Sequence, residues 1–298
     1  QAHGLASPAM HDDELTVPEA QVRALLGDQF PHWADLPVRA LPHRGTDHAM
    51  FRLGEDLAVR LPRIGWAREC VDREWEWQRR IAPLLGWESP LPLAQGEPGH
   101  GYPWRWSVVR WVRGEPPTGP DPALAADVAR LLQDFRALRL PGGRPARRSH
   151  HLADLDVTLR ENLAAVADEV DPALVEEAWG LSRAAEPWDG VGVWLHGDVA
   201  PNNLIVREGR LRGVLDWGGV GLGDPGGDVG IGWTFFGPAE RAVLRDALAD
   251  DDATWLRARG WALHHALVQL PYYRTRYLPL AEHARYTIAQ VLADAGLG

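Results

Sequence analysis

A chain of 298 residues, 45% hydrophobic and 24% charged, has room for one large domain or two modest ones and is far from disordered composition. Its 31 basic residues are all arginine, which excludes Schiff-base chemistry and any lysine-tethered cofactor; against 41 Asp and Glu they leave a net charge of −10, which argues against generic nucleic-acid or anionic-membrane binding and permits a cationic partner. The single cysteine, Cys70, excludes an internal disulfide framework, and no apolar run is long enough to mark a membrane span.

Residues 1–9, ahead of Met10, carry no charged-then-apolar signal pattern and are read as an appended remnant outside the fold, so a cytoplasmic protein is expected. Thr16-Val17-Pro18 opens an amphipathic stretch to residue 30, a predicted short helix capped by Thr16. β-like runs follow at 38–41, 49–53 and 56–61, separated by turn chemistry at Gly45-Thr46-Asp47 and Gly54-Glu55-Asp56. Residues 66–85 have helical period, with Trp75, Ile81 and Leu85 near one face. Two more strands are predicted at 91–94 and 106–112, joined by a Gly- and Pro-rich turn.

The composition changes at Arg113-Gly114-Glu115-Pro116-Pro117. From there the chain is mostly helical, and Asp121-Pro122 and Asp171-Pro172 each set a capping Asp before a Pro at the first helical position. Residues 193–216 interrupt the helices with apolar runs around a loop, and Glu208-Gly209 forms a hairpin turn. Helical patterns fill the chain from residue 238 onward. The predicted class is α+β: a small β-rich lobe at 10–112 and a larger helical lobe at 113–298 that carries an internal hairpin.

The most informative segment is His196-Gly197-Asp198-Val199-Ala200-Pro201-Asn202-Asn203, with the hairpin and then Leu215-Asp216-Trp217 after it. Phosphoryl transfer needs an Asp to accept a hydroxyl proton and oxygen ligands to hold Mg²⁺ against a polyphosphate. Asp198 and Asn203 bracket one loop, and Asp216 returns beside them because the hairpin reverses the chain. This order parallels the protein-kinase catalytic loop with its downstream metal-binding Asp. His196 has no second His or Cys at ligand spacing, which argues against zinc. Gly219-Val220-Gly221-Leu222-Gly223 lacks the G-x-G-x-x-G spacing and runs into Asp224-Pro225 instead of a helix start, which rejects a dinucleotide loop.

With Gly223-Asp224-Pro225 and Asp228 trailing the hairpin, the chain resembles the aminoglycoside phosphotransferase family, over nearly its whole length after Met10. That family has a two-lobed protein-kinase-like fold and includes macrolide-kinase and choline-kinase relatives. The resemblance implies that Asp198 is the catalytic base, that Asn203 and Asp216 bind Mg²⁺, and that His196 and Asp228 support the loop. Family members grip the donor phosphates with a lysine on the third strand, braced by a helix glutamate. The corresponding strand here reads Leu57-Ala58-Val59-Arg60-Leu61-Pro62-Arg63, so Arg60 takes that place with Glu74 as its partner. Gly45-Thr46-Asp47-His48 falls where the loop over the phosphates belongs, which makes Thr46 a nucleotide contact by position. The strand leading into the hinge, with Val109 and Trp111, is expected to present its backbone to the nucleobase of ATP or GTP.

The acceptor implied by the resemblance is a small molecule, with a cationic aminoglycoside first and a macrolide or small metabolite second. Asp154, Asp156 and Glu161 are the carboxylate candidates for its ammonium groups. The run Asp250-Asp251-Asp252 is read as a solvated helix cap, and Trp233, Trp255, Trp261, Tyr272, Tyr273 and Tyr277 are divided between pocket wall and core. A monomer or weak homodimer is expected, with neither nucleic acid nor membrane as partner. A reading from another class, a nucleotide-binding pseudokinase, is motivated by the missing lysine and opposed by the intact Asp198, Asn203 and Asp216.

Overall fold

Five short apolar strands pair into one antiparallel sheet in the computed structural model, which describes residues 13–41, 47–147 and 150–298. The strands are β1 (Val38–Ala40), β2 (His48–Leu53), β3 (Leu57–Pro62), β4 (Pro92–Gly96) and β5 (Trp106–Arg110), in the order β1-β2-β3-β5-β4. The tight turn at Gly54 sets the β2–β3 register, which places Met50 opposite Arg60 and Phe51 opposite Val59. Helix α1 (Glu19–Gln29) buries Val22, Leu25 and Leu26 with Phe51, Leu53, Val59, Leu61, Trp106 and Val108, which make a core of this sheet's own. The remnant expected at residues 1–9 lies outside the described residues, as does most of the Gly45-Thr46 turn.

Two local expectations need correction. Thr16 does not cap α1: the helix begins at Glu19 behind Pro18, with no side-chain cap hydrogen bond. The helical stretch after β3 is α2 (Arg68–Arg73), a π turn at Glu74–Gln78 and α3 (Arg79–Leu85). A π turn holds more residues than an α turn and rotates the helix beyond it, so a single helical period misplaces the buried stripe. Trp77, Gln78 and Ile81 are buried, whereas Trp75 and Leu85 are only half-buried.

The chain divides into two compact units, Gln1–Arg113 and Gly114–Gly298. The second is built on α4 (Pro122–Ala137), α5 (Asp156–Ala165), α6 (Pro172–Arg183), α7 (Ile231–Thr234), α8 (Pro238–Leu248), α9 (Asp252–Tyr273) and α10 (Leu278–Asp294). Asp121 and Asp171 accept the first free amides of α4 and α6, and Asp251 does the same for α9 from Thr254. Its neighbours in the acidic run are ion-paired, Asp250 with Arg136 and Asp252 with Arg245. Trp233, Trp255 and Trp261 are core residues rather than pocket walls, with the first two ring centroids 4.9 Å apart. Tyr272, Tyr273 and Tyr277 are half-buried. Among the described residues, no helix is long and apolar enough to cross a membrane.

Four more strands interrupt these helices as two-stranded ladders: β6 (Val193–Leu195) with β9 (Gly221–Gly223), and β7 (Leu204–Arg207) with β8 (Arg210–Val214). The β7–β8 turn is Glu208-Gly209, both at positive φ (52° and 70°), the combination that matches the twist of a two-residue hairpin. Asp127 of α4 anchors this hairpin. Its buried carboxylate accepts from Arg210 Nε at 2.8 Å, from Arg210 Nη2 at 2.6 Å, and from the Leu211 amide at 3.2 Å. Arg130 adds a further bond at 2.6 Å.

The Arg210 hydrogen bond, ahead of the smaller opposing effect of burial, holds the Asp127 carboxyl below its ordinary value. A group depressed in the folded state stabilises the fold in full above its unfolded value, near 3.9, and loses that contribution as pH falls through the folded one. Asp127→Ala is expected to lower unfolding free energy at pH 7 by about 1–3 kcal/mol, for lost charged hydrogen bonds and an orphaned buried amide. Urea titrations of both proteins should show that difference shrinking as pH is taken below 4, and a pH-independent difference would remove the ion pairs as its cause.

Candidate functional site

The loop after β6 is held from behind. The Asp228 carboxylate, almost fully buried, accepts the amide of His196 at 2.7 Å through one oxygen and that of Gly197 at 2.9 Å through the other. The His196 ring is buried with its Nδ1 accepting the Asp198 amide at 3.3 Å, and its edges meet Phe135 and Trp217. Burial pushes His196 below its ordinary pKa, against the opposing pull of Asp228, Asp198 and Asp216. The imidazole is therefore a neutral scaffold piece. Among the described residues, no cluster of three His, Cys, Asp or Glu could hold a metal ion.

Gly197 is dictated by contact as well as by conformation. Its φ is +84°, and a Cβ there would stand 2.1 Å from the carbonyl oxygen of Gly219. Gly219 in turn has room for a Cβ only at 3.0 Å from the Gly197 backbone. The two glycines let the loop lie directly on the segment after Asp216.

Asn203 ends the loop in a short 3₁₀ turn, Pro201–Asn203. Its Nδ2 donates to the Asp198 carbonyl at 3.0 Å and to the Asp198 carboxylate at 3.1 Å. The Leu215 amide donates to the Asn203 carbonyl at 2.7 Å, which continues the β7–β8 ladder and brings Asp216 beside Asn203. Asp216 itself lies at φ 57°, ψ 74°, a left-handed conformation that costs a non-glycine residue about 1–3 kcal/mol. Asp198 and Asp216 are half-buried, so each carboxylate keeps access to solvent. The Asn203 amide nitrogen is committed to Asp198, and its side-chain oxygen accepts from Asn202 Nδ2 at 3.4 Å, which leaves one lone pair of that oxygen to set with the Asp216 carboxylate. These are hard oxygen donors, too few for an all-protein cage and suited to a cation shared with phosphate oxygens.

In the first unit, Arg60 is buried and donates from Nη1 to Glu74, the first residue of the π turn. Its Nη2 lies 3.3 Å from His48 Nδ1. Thr46 lies outside the described residues. Val109 and Trp111, expected to present backbone to a nucleobase, have neighbours of their own within the sheet. Val109 is flanked on both sides of the sheet, by Ala58 and by Pro92, and the Trp111 amide already donates to the Asp56 carbonyl at 2.8 Å. The Trp111 ring instead carries the Arg52 guanidinium 3.9 Å above its centroid.

The acceptor candidates also separate. Asp156 is half-buried and accepts from Trp179 Nε1 at 2.8 Å and Arg183 Nε at 2.9 Å, both on Oδ1, while Oδ2 has only the Arg183 Nη2 contact at 3.5 Å. Asp154 and Glu161 are exposed. Asp154 lines a cavity of about 300 Å³ with His151, Ser182, Trp188 and Arg257. Two residues of these sites, His48 and Gly219, lie in segments named from the sequence but receive no role of their own there. A signal for His48 exists, because the β2–β3 turn puts it two residues along the strand from Met50, which faces Arg60, and so on the same face of the sheet. None exists for Gly219, because its partner Gly197 is distant in the chain.

The model of a family described as "Phosphotransferase enzyme family" matches residues 38–261. An aminoglycoside 3'-phosphotransferase of Escherichia coli is 37% identical over 70 residues, a match that spans 24% of this chain and only 26% of that relative's length. Among solved structures, the GDP complex of wild-type aminoglycoside 2'-phosphotransferase-IIIa is similar over 94% of this chain and 100% of its own, with a TM-score of 0.69 at 16% identity. The macrolide 2'-phosphotransferase MphH of Brachybacterium faecium is similar over 91% and 98%, with a TM-score of 0.62 at 21% identity. The fold is thus α+β and kinase-like, with a small β-rich unit and a larger helical one.

Gly197→Ala is expected to do more damage than Gly219→Ala. The first incurs both the left-handed penalty, about 1–2 kcal/mol, and a clash with a main-chain oxygen. The second needs only a shift of a few tenths of an ångström. Thermal unfolding of the two variants checks the ranking, and equal melting temperatures would show that the loop does not rest on residue 219.

Proposed function

The chain belongs to the phosphotransferase enzyme family, and from that premise we propose that it moves the γ-phosphoryl group of ATP or GTP to a hydroxyl of a small molecule, an aminoglycoside in the leading reading. The observation that carries this reading is the Asn203 side chain. It binds Asp198 with its nitrogen while its backbone carbonyl holds the strand end that leads to Asp216. A proton acceptor and two oxygen donors are thereby assembled in one loop system, as transfer of a γ-phosphoryl group requires.

In this reading Asp198 accepts the proton of the attacking hydroxyl. Its carboxylate is oriented by Asn203, and its backbone by the Asp228 anchor on the two preceding amides. Asn203 and Asp216 are the residues that would hold Mg²⁺, which when bound neutralises charge on the donor phosphates. Arg60, braced by Glu74, orients the α- and β-phosphates in place of the usual lysine. His196 supports the loop as a buried neutral ring and takes no part in proton transfer.

The acceptor class rests on the curated relative's name and on the net charge of −10, which favours an approaching polycation. Asp154, Glu161 and the second carboxylate oxygen of Asp156 are the candidates for ammonium groups. A macrolide is the second reading, supported by the likeness to the macrolide phosphotransferase.

The test is release of nucleoside diphosphate from Mg-ATP or Mg-GTP in the presence of an aminoglycoside and macrolide panel. Asp198→Asn keeps an acceptor for Asn203 but removes the base, and is expected to lower kcat by about 10²–10⁴ while leaving KM for nucleotide near that of the parent. Undiminished turnover would discard Asp198 as the base. Tight nucleotide binding without turnover on any acceptor would favour the pseudokinase.

A further inference from the structure

We infer that His48 is a positioning residue for the nucleotide, one that makes an arginine workable where relatives of this fold use lysine. The inference rests on the reading that Arg60 holds donor phosphates. An ammonium is a compact point charge, and one carboxylate suffices to place it; a guanidinium is a planar fork that still pivots about a single anchor. In this chain the fork is anchored on two arms, Nη1 to the Glu74 carboxylate and Nη2 to His48 Nδ1 at 3.3 Å. All three side chains are buried, with His48 and Arg60 each 6% exposed and Glu74 1%, so neither anchor competes freely with water.

The backbone explains how His48 arrives there. Met50 faces Arg60 across the β2–β3 ladder and His48 faces Pro62, so strand alternation puts His48, Met50 and Arg60 on one face of the sheet. His48 is then the diagonal neighbour of Arg60, within reach of a long side chain. Glu74 comes from the other direction, at the start of the π turn.

The chemistry of the second anchor matters as much as its place. Arginine only donates, so Nδ1 is the acceptor and the ring proton resides on Nε2. A neutral acceptor fixes the plane of the guanidinium without cancelling its charge. A carboxylate in the same position would leave Arg60 outnumbered by negative groups and would repel the polyphosphate. Histidine therefore orients Arg60 and preserves its attraction for phosphate.

The distinguishing experiment uses the full chain and isothermal titration with MgADP and MgGDP, both of which carry the α- and β-phosphates. His48→Ala is expected to weaken binding about tenfold, the loss of one hydrogen bond to a charged group, and to raise KM for nucleotide while KM for acceptor stays unchanged. His48→Asn presents an amide oxygen near the position of Nδ1 and should restore binding to within about twofold of the parent. His48→Gln presents it near Nε2 and should not. Equal binding by the Asn and Gln variants overturns the inference, and because both keep a polar side chain of similar bulk, this contrast survives even if the Ala variant folds poorly.

A double-mutant cycle separates this inference from its premise. If His48 acts through Arg60, His48→Ala adds no loss in an Arg60→Ala background; the same tenfold loss there shows that His48 acts independently and overturns the inference. Weakened binding in Arg60→Ala with His48→Ala silent removes His48 and leaves Arg60 as the phosphate ligand. Unchanged binding in Arg60→Ala removes the premise, and the inference falls with it.

Discussion

The loop that carries Asp198 depends on one buried carboxylate. Asp228 uses both its oxygens on consecutive amides, those of His196 and Gly197, so the turn out of β6 is fixed before any side chain in the loop is considered. From that fixed turn the rest is settled by contact. The neutral His196 ring fills the space beneath the loop, Gly197 lies on Gly219, and Asn203 ties the far end of the loop back to Asp198. A charge-assisted bond to a backbone amide in a buried setting is both strong and directional, which is why one residue can define the geometry of several others.

The absence of lysine shapes the whole molecule, not only the strand at Arg60. Buried guanidiniums recur, and each spreads its donors over several acceptors. Arg257 pairs with both oxygens of Asp224 and reaches the Glu186 carbonyl and Thr254 Oγ1. Arg241 bonds the Gly232 carbonyl, Asp294 and Gln290. An ammonium offers fewer donors and is more strongly hydrated, so it could not replace these forks without leaving partners unsatisfied. Arg60 follows the same habit, with one arm on Glu74 of the π turn and the other 3.3 Å from His48 Nδ1.

Much of the fold is legible in local chemistry. The two Asp-Pro caps, the Glu208-Gly209 hairpin and the strand runs of the first unit all rest on rules that operate within a few residues. Local rules fail where a long-range or cooperative effect intervenes. A regular period carried through residues 74–78 puts Trp75 on the buried face, but the helix there is wound as a π turn. Thr16 has the chemistry of a cap, but the helix starts behind Pro18. Trp233, Trp255 and Trp261 offer no sequence signal to divide core from pocket, since an aromatic at helical spacing looks the same in both.

The same division runs through the site. Sequence alone determined which chemistry is present: the types and order of Asp198, Asn203 and Asp216, the arginine on the third strand, and a net charge of −10 that argues against generic polyanion binding. Those properties are intrinsic to residue identity and to short spacings along the chain. Tertiary structure decided which groups are free to use that chemistry. It tied one oxygen of Asp156 to Trp179 and Arg183, committed the Trp111 amide to Asp56, and brought His48 to Arg60 and Gly219 to Gly197. Each of these depends on register and packing between segments remote in sequence, and hydrogen-bond availability is settled only when those segments meet.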